Sequence, residues 1–460
     1  MNLDIADNPK ASLSAISYKN SFIFLTALFS AFRLPTDVTP FVLTIHRYMT
    51  KLNFRFYLSL VYIGLIAGLI GTSLTYILHA IQHFAFGYGL NGENLSFREG
   101  VLQSSAERRW LVLTFCGMLA GIGWYAVHRY GQKLLSIKQG LDNPQQGVPF
   151  FKTVGHALLQ IVTVGLGSPL GREVAPREMS VAFGSAWVRK AGLNDDDARL
   201  LLACASGAGL TAVYNVPLAS TIFILETMVL SVNPRALGAA LITVVISTCV
   251  SRFFLGDLVQ YSQVTPFPVN TALLLFSALI GILTALVVRG FRRSTQRLPF
   301  LARTDKRLIP VAVLLFSLIG FISIYQPEIL GNGKAGNQLT FGEMIGWSES
   351  LQLMALKWLA VWLALAAGAY GGLITPSMML GSTFAYSLAI GWNALFPSLS
   401  TEGAAIIGAC AFLGIMQKMP FTAMVFLAEL TRSNAEVFMP LTLAMGAAIA
   451  TDRLAAKWQA

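Results

Sequence analysis

The sequence predicts an all-α integral membrane protein built from two repeats, and three observations predict it. Of its 460 residues, 55% are hydrophobic and only 12% charged, against about 25% charged in an ordinary soluble domain. Apolar stretches recur from about Phe54 to Ala450 with short polar breaks between them. A distinctive run of Gly, Pro and Glu in the first half returns about 200 residues later.

The elements follow in chain order. Residues 1–53 carry an apolar patch at 22–32, but Asp4 and Asp7 precede it and no small-residue cleavage site follows. They read as a cytoplasmic or interfacial extension and not as a signal peptide. A spanning helix needs about 20 mostly apolar residues. The runs 57–81, 110–127, 237–250, 273–288, 309–324 and 356–369 are the candidates, some of them too short to span alone. The shorter pieces 181–188, 219–230 and 404–416 sit beside Gly, Pro and polar residues, which points to broken or re-entrant helices. No segment alternates at period two as strands of a membrane barrel do.

Composition excludes several function classes. The low charge content excludes a typical water-soluble globular enzyme. The net charge of +11 would suggest nucleic acid in a soluble protein, but the basic residues gather beside membrane segments. They cluster over residues 10–55, at Arg129, Lys133 and Lys138, and at Arg289, Arg292, Arg293, Arg297, Arg303, Lys306 and Arg307. The excess of Lys and Arg in cytoplasmic loops accounts for all three clusters, so nucleic acid is not a partner and the N-terminus is expected in the cytoplasm. Cys116, Cys204, Cys249 and Cys410 lie far apart inside apolar segments, which predicts buried small residues and no disulfide or metal site. No HExxH or Cys/His cluster surrounds His79, His83, His128 or His156, so metal binding and hydrolysis find no support.

The internal repeat is the strongest pattern. Tyr214-Asn215-Val216-Pro217 resembles Gln417-Lys418-Met419-Pro420, an offset of 203 (420 − 217). At that offset Phe223 meets Phe426 and Glu226 meets Glu429, while the small-residue segment 203–209 meets 406–412. Further upstream, Gly171-Arg172-Glu173-Val174-Ala175-Pro176 has a counterpart in Gly371-Gly372-Leu373-Ile374-Thr375-Pro376. The basic segment from Arg289 to Arg307 then lies inside the second half, as a loop. A duplicated membrane protein of this size points to a transporter or channel with its substrate site near the midplane, where the repeats meet.

In each half, a Gly- and Pro-containing segment, 165–176 and 368–376, interrupts apolar sequence and opens a helix with Pro near its first turn. Amide N–H groups at a helix start are unpaired and partly positive, so two such ends meeting at the midplane form a site for an anion. Packing of helices through small residues is the plainer use of these glycines. Glu173 is the leading functional residue, because an ionisable group within the membrane is costly. Its carboxylate could occupy the amide cradle of the anion and swing out on protonation; pairing with Arg172 or Arg177 as a helix cap is the structural alternative. Glu226 and Glu429, at equivalent places, read as acids that cap or bridge neighbouring segments.

On these residues the chain resembles the CLC family of chloride channels and proton/chloride exchangers over nearly its whole length. Gly171-Arg172-Glu173 before Pro176 matches the family's Gly-Arg/Lys-Glu-Gly-Pro and departs from it at Val174-Ala175. Gly371-Gly372-Leu373-Ile374-Thr375-Pro376 matches its Gly-Gly-x-Phe-x-Pro, with Ile374 replacing Phe. The resemblance implies a bundle of tilted and broken helices in two inverted repeats, as a single domain over 54–460 with repeats at about 54–256 and 269–452. It also implies a homodimer with one pore per subunit, in a multi-pass, bacterial inner-membrane protein. For Glu173 it implies the gating, proton-accepting carboxylate; for Gly171, Arg172, Glu173, Val174, Leu373 and Ile374 it implies the anion-binding backbone. The family's Gly-Ser-Gly-Ile-Pro segment should fall near Gly131-Gln132-Lys133-Leu134-Leu135, where it is absent. Its second proton-transfer acid corresponds to Thr227, and no tyrosine follows Tyr386 to supply the anion's second hydroxyl.

The function expected is therefore passage of a small inorganic anion, chloride by default, as a passive channel or in exchange for protons, with no catalysis and no cofactor. The alternatives are a transporter-like scaffold that no longer transports, or a non-anion pore of inverted-repeat type such as an aquaporin.

Overall fold

Seven helices among the described residues of the structure, a computed structural model, are long and apolar enough to cross a membrane. It describes residues 54–88, 96–257, 259–298 and 301–457. The extension expected at 1–53 lies outside the described residues.

The first half begins with α1 (Phe54–Phe86), the short α2 (Phe97–Gln103) and α3 (Ala106–Arg129). A short α4 (Ile137–Asp142) leads to α5 (Phe150–Gly165), α6 (Val174–Ala191), α7 (Asp195–Tyr214) and α8 (Pro217–Phe223), which runs on into a π turn at Ile224–Val229. After α9 (Pro234–Leu255) the second half opens with α10 (Thr271–Gln296), α11 (Leu308–Tyr325) and α12 (Lys334–Phe341). It continues with α13 (Trp347–Ala366), α14 (Ile374–Asn393), α15 (Thr401–Gln417), α16 (Pro420–Thr431) and α17 (Phe438–Lys457). The six longest apolar runs of the sequence fall in α1, α3, α9, α10, α11 and α13. The short pieces fall in α6, α8 with its π turn, and α15.

The two halves share backbone detail that hydropathy does not report. The end of α5 is tied by Leu166 N–H to Val162 O, Gly167 N–H to Val164 O and Ser168 N–H to Thr163 O; the end of α13 repeats this as Ala367 to Leu363, Gly368 to Leu365 and Ala369 to Ala364. Gly167 and Gly368 both turn the chain at positive φ, +95° and +76°, where a Cβ would be strained. Asn215 and Lys418, 203 residues apart, end α7 and α15 in the same left-handed conformation, φ 58° and 57°.

The halves meet as an inverted pair. The counterparts α3 and α11 pack on each other, as do α8 and α16. At the first contact a Cβ on Gly117 of α3 would lie 2.6 Å from Ala312 O, and one on Gly320 of α11 would lie 3.0 Å from Trp110 O. Small residues let these backbones approach, which is how helices associate where lipid is as apolar as the side chains. Helices α7 and α15 are buried almost all round, which explains why 203–209 and 406–412 lack a polar face.

Three expectations change. Cys249 is exposed on the outer face of α9, while Cys116, Cys204 and Cys410 are buried. The basic segment is not all loop: Arg289, Arg292 and Arg293 belong to the last two turns of α10, where cations complement the helix dipole and long stems reach toward water. The seventh apolar helix, α17, has no counterpart among the runs read from sequence, because Pro440, Thr442 and Thr451 dilute it.

Candidate functional site

Helices α6 and α14 both begin inside the bundle, and the segments ahead of them touch. Gly171 N–H donates to Gly372 O at 2.7 Å and Gly372 N–H to Gly171 O at 2.8 Å, an antiparallel bridge between the repeats. This reciprocal pair places the pseudo-two-fold axis between the two glycines. It also means that the Gly171 amide is already engaged, so Gly171 contributes a crossing point to the site and no free donor.

Glu173 stands at the N-cap of α6 and is 1% exposed. Its side chain does not cap its own helix. It crosses to the other repeat, where the backbone N–H of Ile374, the first residue of α14, donates to Oε1 at 2.7 Å. The Tyr214 hydroxyl donates to Oε2 at 3.2 Å and lies 2.8 Å from Thr375 Oγ1. A carboxylate here rests on a helix N-terminus, the position that favours an anion. A Cβ at Gly171 or at Gly372 would collide with the carboxylate in this position, so glycine at both places lets it rest there.

The remaining predicted residues surround this point. Leu373 is the N-cap of α14, and Val174 opens α6, so the amides of Val174, Leu373 and Ile374 belong to the two helix starts. The Arg172 side chain turns away, donating to Val213 O at 3.4 Å, with its guanidinium 5.7 Å from the Tyr214 ring centre. Arg177 sits over the Phe223 ring at 4.5 Å and donates to Ser206 Oγ at 3.2 Å. Neither arginine forms a salt bridge with Glu173 among the described residues.

Tyr214 and Thr375 escaped the sequence reading as parts of the site. Both stood inside motifs already singled out, Tyr214 one residue before the left-handed Asn215 and Thr375 one before Pro376, but only the meeting of the end of α7 with the start of α14 brings the Tyr214 hydroxyl to Glu173 and the Thr375 hydroxyl to Tyr214. Thr227 bonds its hydroxyl to the backbone of its own helix, Phe223 O, at 2.7 Å. His156, which in sequence has only Lys152 and Gln160 near it, is paired with Glu178 of α6 at 2.7 Å.

Comparison with known proteins agrees with this architecture. Residues 116–453 match the family model described as voltage gated chloride channel. A relative from Vibrio campbellii, named H(+)/Cl(-) exchange transporter ClcA, is 25% identical with 89% of each chain covered. Its namesake from Vibrio vulnificus is 27% identical with 84% of each chain covered. Among solved structures, a slow cyanobacterial Cl−/H+ antiporter superposes with TM-score 0.75 at 20% identity, over 88% of this chain and 96% of its own. A CLC-type fluoride/proton antiporter superposes with TM-score 0.67 at 18% identity, over 86% and 95%. With the model matched across most of its length and the inverted repeats in place, this multi-pass membrane chain belongs to the voltage gated chloride channel family.

Proposed function

We propose that the protein carries chloride across the membrane in exchange for protons, with Glu173 as gate and proton acceptor. The observation that carries this reading is the Glu173 carboxylate on the Ile374 amide, 2.7 Å apart. A negatively charged group on a helix N-terminus stands where a permeant anion binds, so anion and carboxylate compete for one position. Protonation removes the carboxylate's charge and releases it from the amides, which vacates the position for chloride. In this reading the backbone of Arg172, Glu173, Val174, Leu373 and Ile374 lines the path, with Gly171 keeping it open. Tyr214 and Thr375 supply hydroxyls beside it.

The names of the relatives, proton/chloride exchangers, support coupling over a passive channel. The reading includes a single membrane domain over 54–460, a homodimer, and an N-terminus in the cytoplasm of a bacterial cell with the protein in its inner membrane. The Tyr370 ring stacks under Arg303 at 4.1 Å and its hydroxyl bonds His128 beside Arg129 at 3.0 Å. Two of the three basic clusters therefore share one end of the bundle, which supports a common cytoplasmic face.

The test is chloride efflux from liposomes with the external pH recorded. Chloride movement accompanied by protons is expected, and Glu173→Gln should move chloride without protons and without pH dependence. Chloride flux with no proton movement in the parent chain would leave a channel; no flux at all would leave a scaffold.

A further inference from the structure

A second, half-buried acid lies between Glu173 and the basic end of the bundle. Helix α6 carries Glu173 at its start and Arg189 and Lys190 in its last turn. Glu178 is five residues past Glu173, about 7.5 Å further along the axis. Its Oε2 lies 2.7 Å from His156 Nδ1 and accepts from Gln160 Nε2 at 2.8 Å, the Gln160 amide nitrogen being also 2.9 Å from that Nδ1. The His156 side chain is 1% exposed and that of Glu178 13%. A carboxylate and an imidazole taken out of water together inside a membrane domain are costly and not needed for helix packing.

The surroundings extend the pair toward the basic face. His156 Nε2 is buried and has no hydrogen-bond partner. The His156 ring meets the Tyr370 ring edge-on at 4.6 Å, and the Tyr370 hydroxyl lies 3.0 Å from His128 Nε2. His128 is in the last turn of α3, next to Arg129. The charged groups acting on this row are Lys152 on α5, Arg177 on α6 and Arg303 ahead of α11. Trp124 of α3 closes it on one side, 5.1 Å from both the His156 and Tyr370 rings.

We propose that Glu178 and His156, entered past His128 and Tyr370, carry protons between the basic face and Glu173. The inference rests on the exchanger reading above and assigns the proton entry that Thr227 cannot provide. With Nδ1–H donated to Glu178, the His156 Nε2 lone pair is open to an incoming proton. A proton arriving at Nε2 allows the Nδ1 proton to pass to the Glu178 carboxylate, and the imidazole ends neutral with its hydrogen on the other nitrogen. Glu178 then gives the proton up toward Glu173, about 7.5 Å back along the axis of α6, and returns to its charged form. A flip of the imidazole ring then returns its N–H to Glu178 and its lone pair to the entry side before the next proton.

The experiment measures protons moved per chloride in liposomes for the parent chain, Glu178→Gln, His156→Gln and Glu173→Gln, each first matched to the parent in thermal melting. Gln at 178 or 156 keeps hydrogen bonding but carries no titratable proton. Protons per chloride should fall about a hundredfold in both relay variants. If the parent couples and Glu173→Gln uncouples while both relay variants couple like the parent, the relay is wrong and the exchanger reading stands. If the parent moves chloride without protons, the exchanger reading falls and takes the relay with it.

Discussion

Glu226 and Glu429 are exchanged between the repeats. The Glu429 carboxylate accepts from the Leu218 and Ala219 amides at 2.9 and 2.7 Å, at the start of α8. The Glu226 carboxylate accepts from the Phe421 and Thr422 amides at 3.0 and 2.8 Å, at the start of α16. Each acid therefore satisfies, across the pseudo-two-fold, the unpaired donors of the helix equivalent to its own. This is why the same acid recurs at the same offset, and it makes both residues parts of the architecture.

Glu226→Ala should consequently lower stability by about 1.5–3 kcal/mol, the value of hydrogen bonds to a charged group. Glu429→Ala should cost about the same, and the double variant about the sum, because the two acids share no partner. Thermal melting in detergent checks this. A much smaller combined loss would mean that one cap already fails when the other is removed.

The Tyr214 hydroxyl lies 3.2 Å from Glu173 Oε2, and in the proposed gate it holds the carboxylate in the closed position. Tyr214→Phe removes that donor together with the hydrogen bond to Thr375 Oγ1, at a cost to the closed state of about 1 kcal/mol. Chloride flux at fixed pH should rise roughly fivefold by the same figure. In a Glu173→Ala background the substitution should leave flux where Glu173→Ala alone puts it, because the partner is gone. An equal rise in both backgrounds would place Tyr214 in the path independently of the gate.

The architecture was largely legible in the sequence because lipid enforces long apolar runs and because a duplication writes its punctuation twice. Pro217 and Pro420, Glu226 and Glu429, and the glycines before α6 and α14 all carried into the structure at equivalent places. Glu173 was legible as an acid in the wrong solvent. Of its partners, Ile374, 201 residues away, was named only through the family resemblance, and Tyr214, 41 residues away, was not named at all, because no local pattern encodes such a meeting. The pairing of His156 with Glu178 was hidden for the same reason, since the two residues stand on different helices, 22 positions apart. The start of α13 was hidden by chemistry: Trp347 to Gln352 is too polar for an apolar run, but Glu349 caps the Gly346 amide at 3.2 Å and extends the helix backward.

Gly372→Ala tests the crossing point of the two repeats. Its new Cβ would overlap Glu173 Oε1 and Cδ, and overpacking of this kind costs about 1–3 kcal/mol. Chloride flux should fall about tenfold or more, since that cost acts on every species that occupies the crossing. The fall should persist with Glu173→Gln, because the obstruction is steric and not electrostatic. Recovery of flux in the double variant would show instead that the methyl acts only by trapping the carboxylate.

Asp257, in the segment between α9 and α10, ties the ends of both repeats together outside the spanning helices. Its carboxylate accepts from Asn215 Nδ2 at 2.8 Å and pairs with Arg432 at 2.7 Å and with Arg252 at 3.3 Å. The hydrogen bond from Asn215, then that from Arg432, and the charges of both arginines hold its carboxyl below the ordinary aspartate value. A lowered folded value contributes stability above the unfolded aspartate pKa of about 4 and loses it as pH falls through the folded value. Because the group is half exposed and screened, the contribution at neutral pH stays below about 1 kcal/mol. Asp257→Asn should therefore melt slightly below the parent at pH 7, with the gap closing as the pH is lowered toward about 3. A gap that stays constant over that range would mean that Asp257 acts through the shape of the loop and not through its charge.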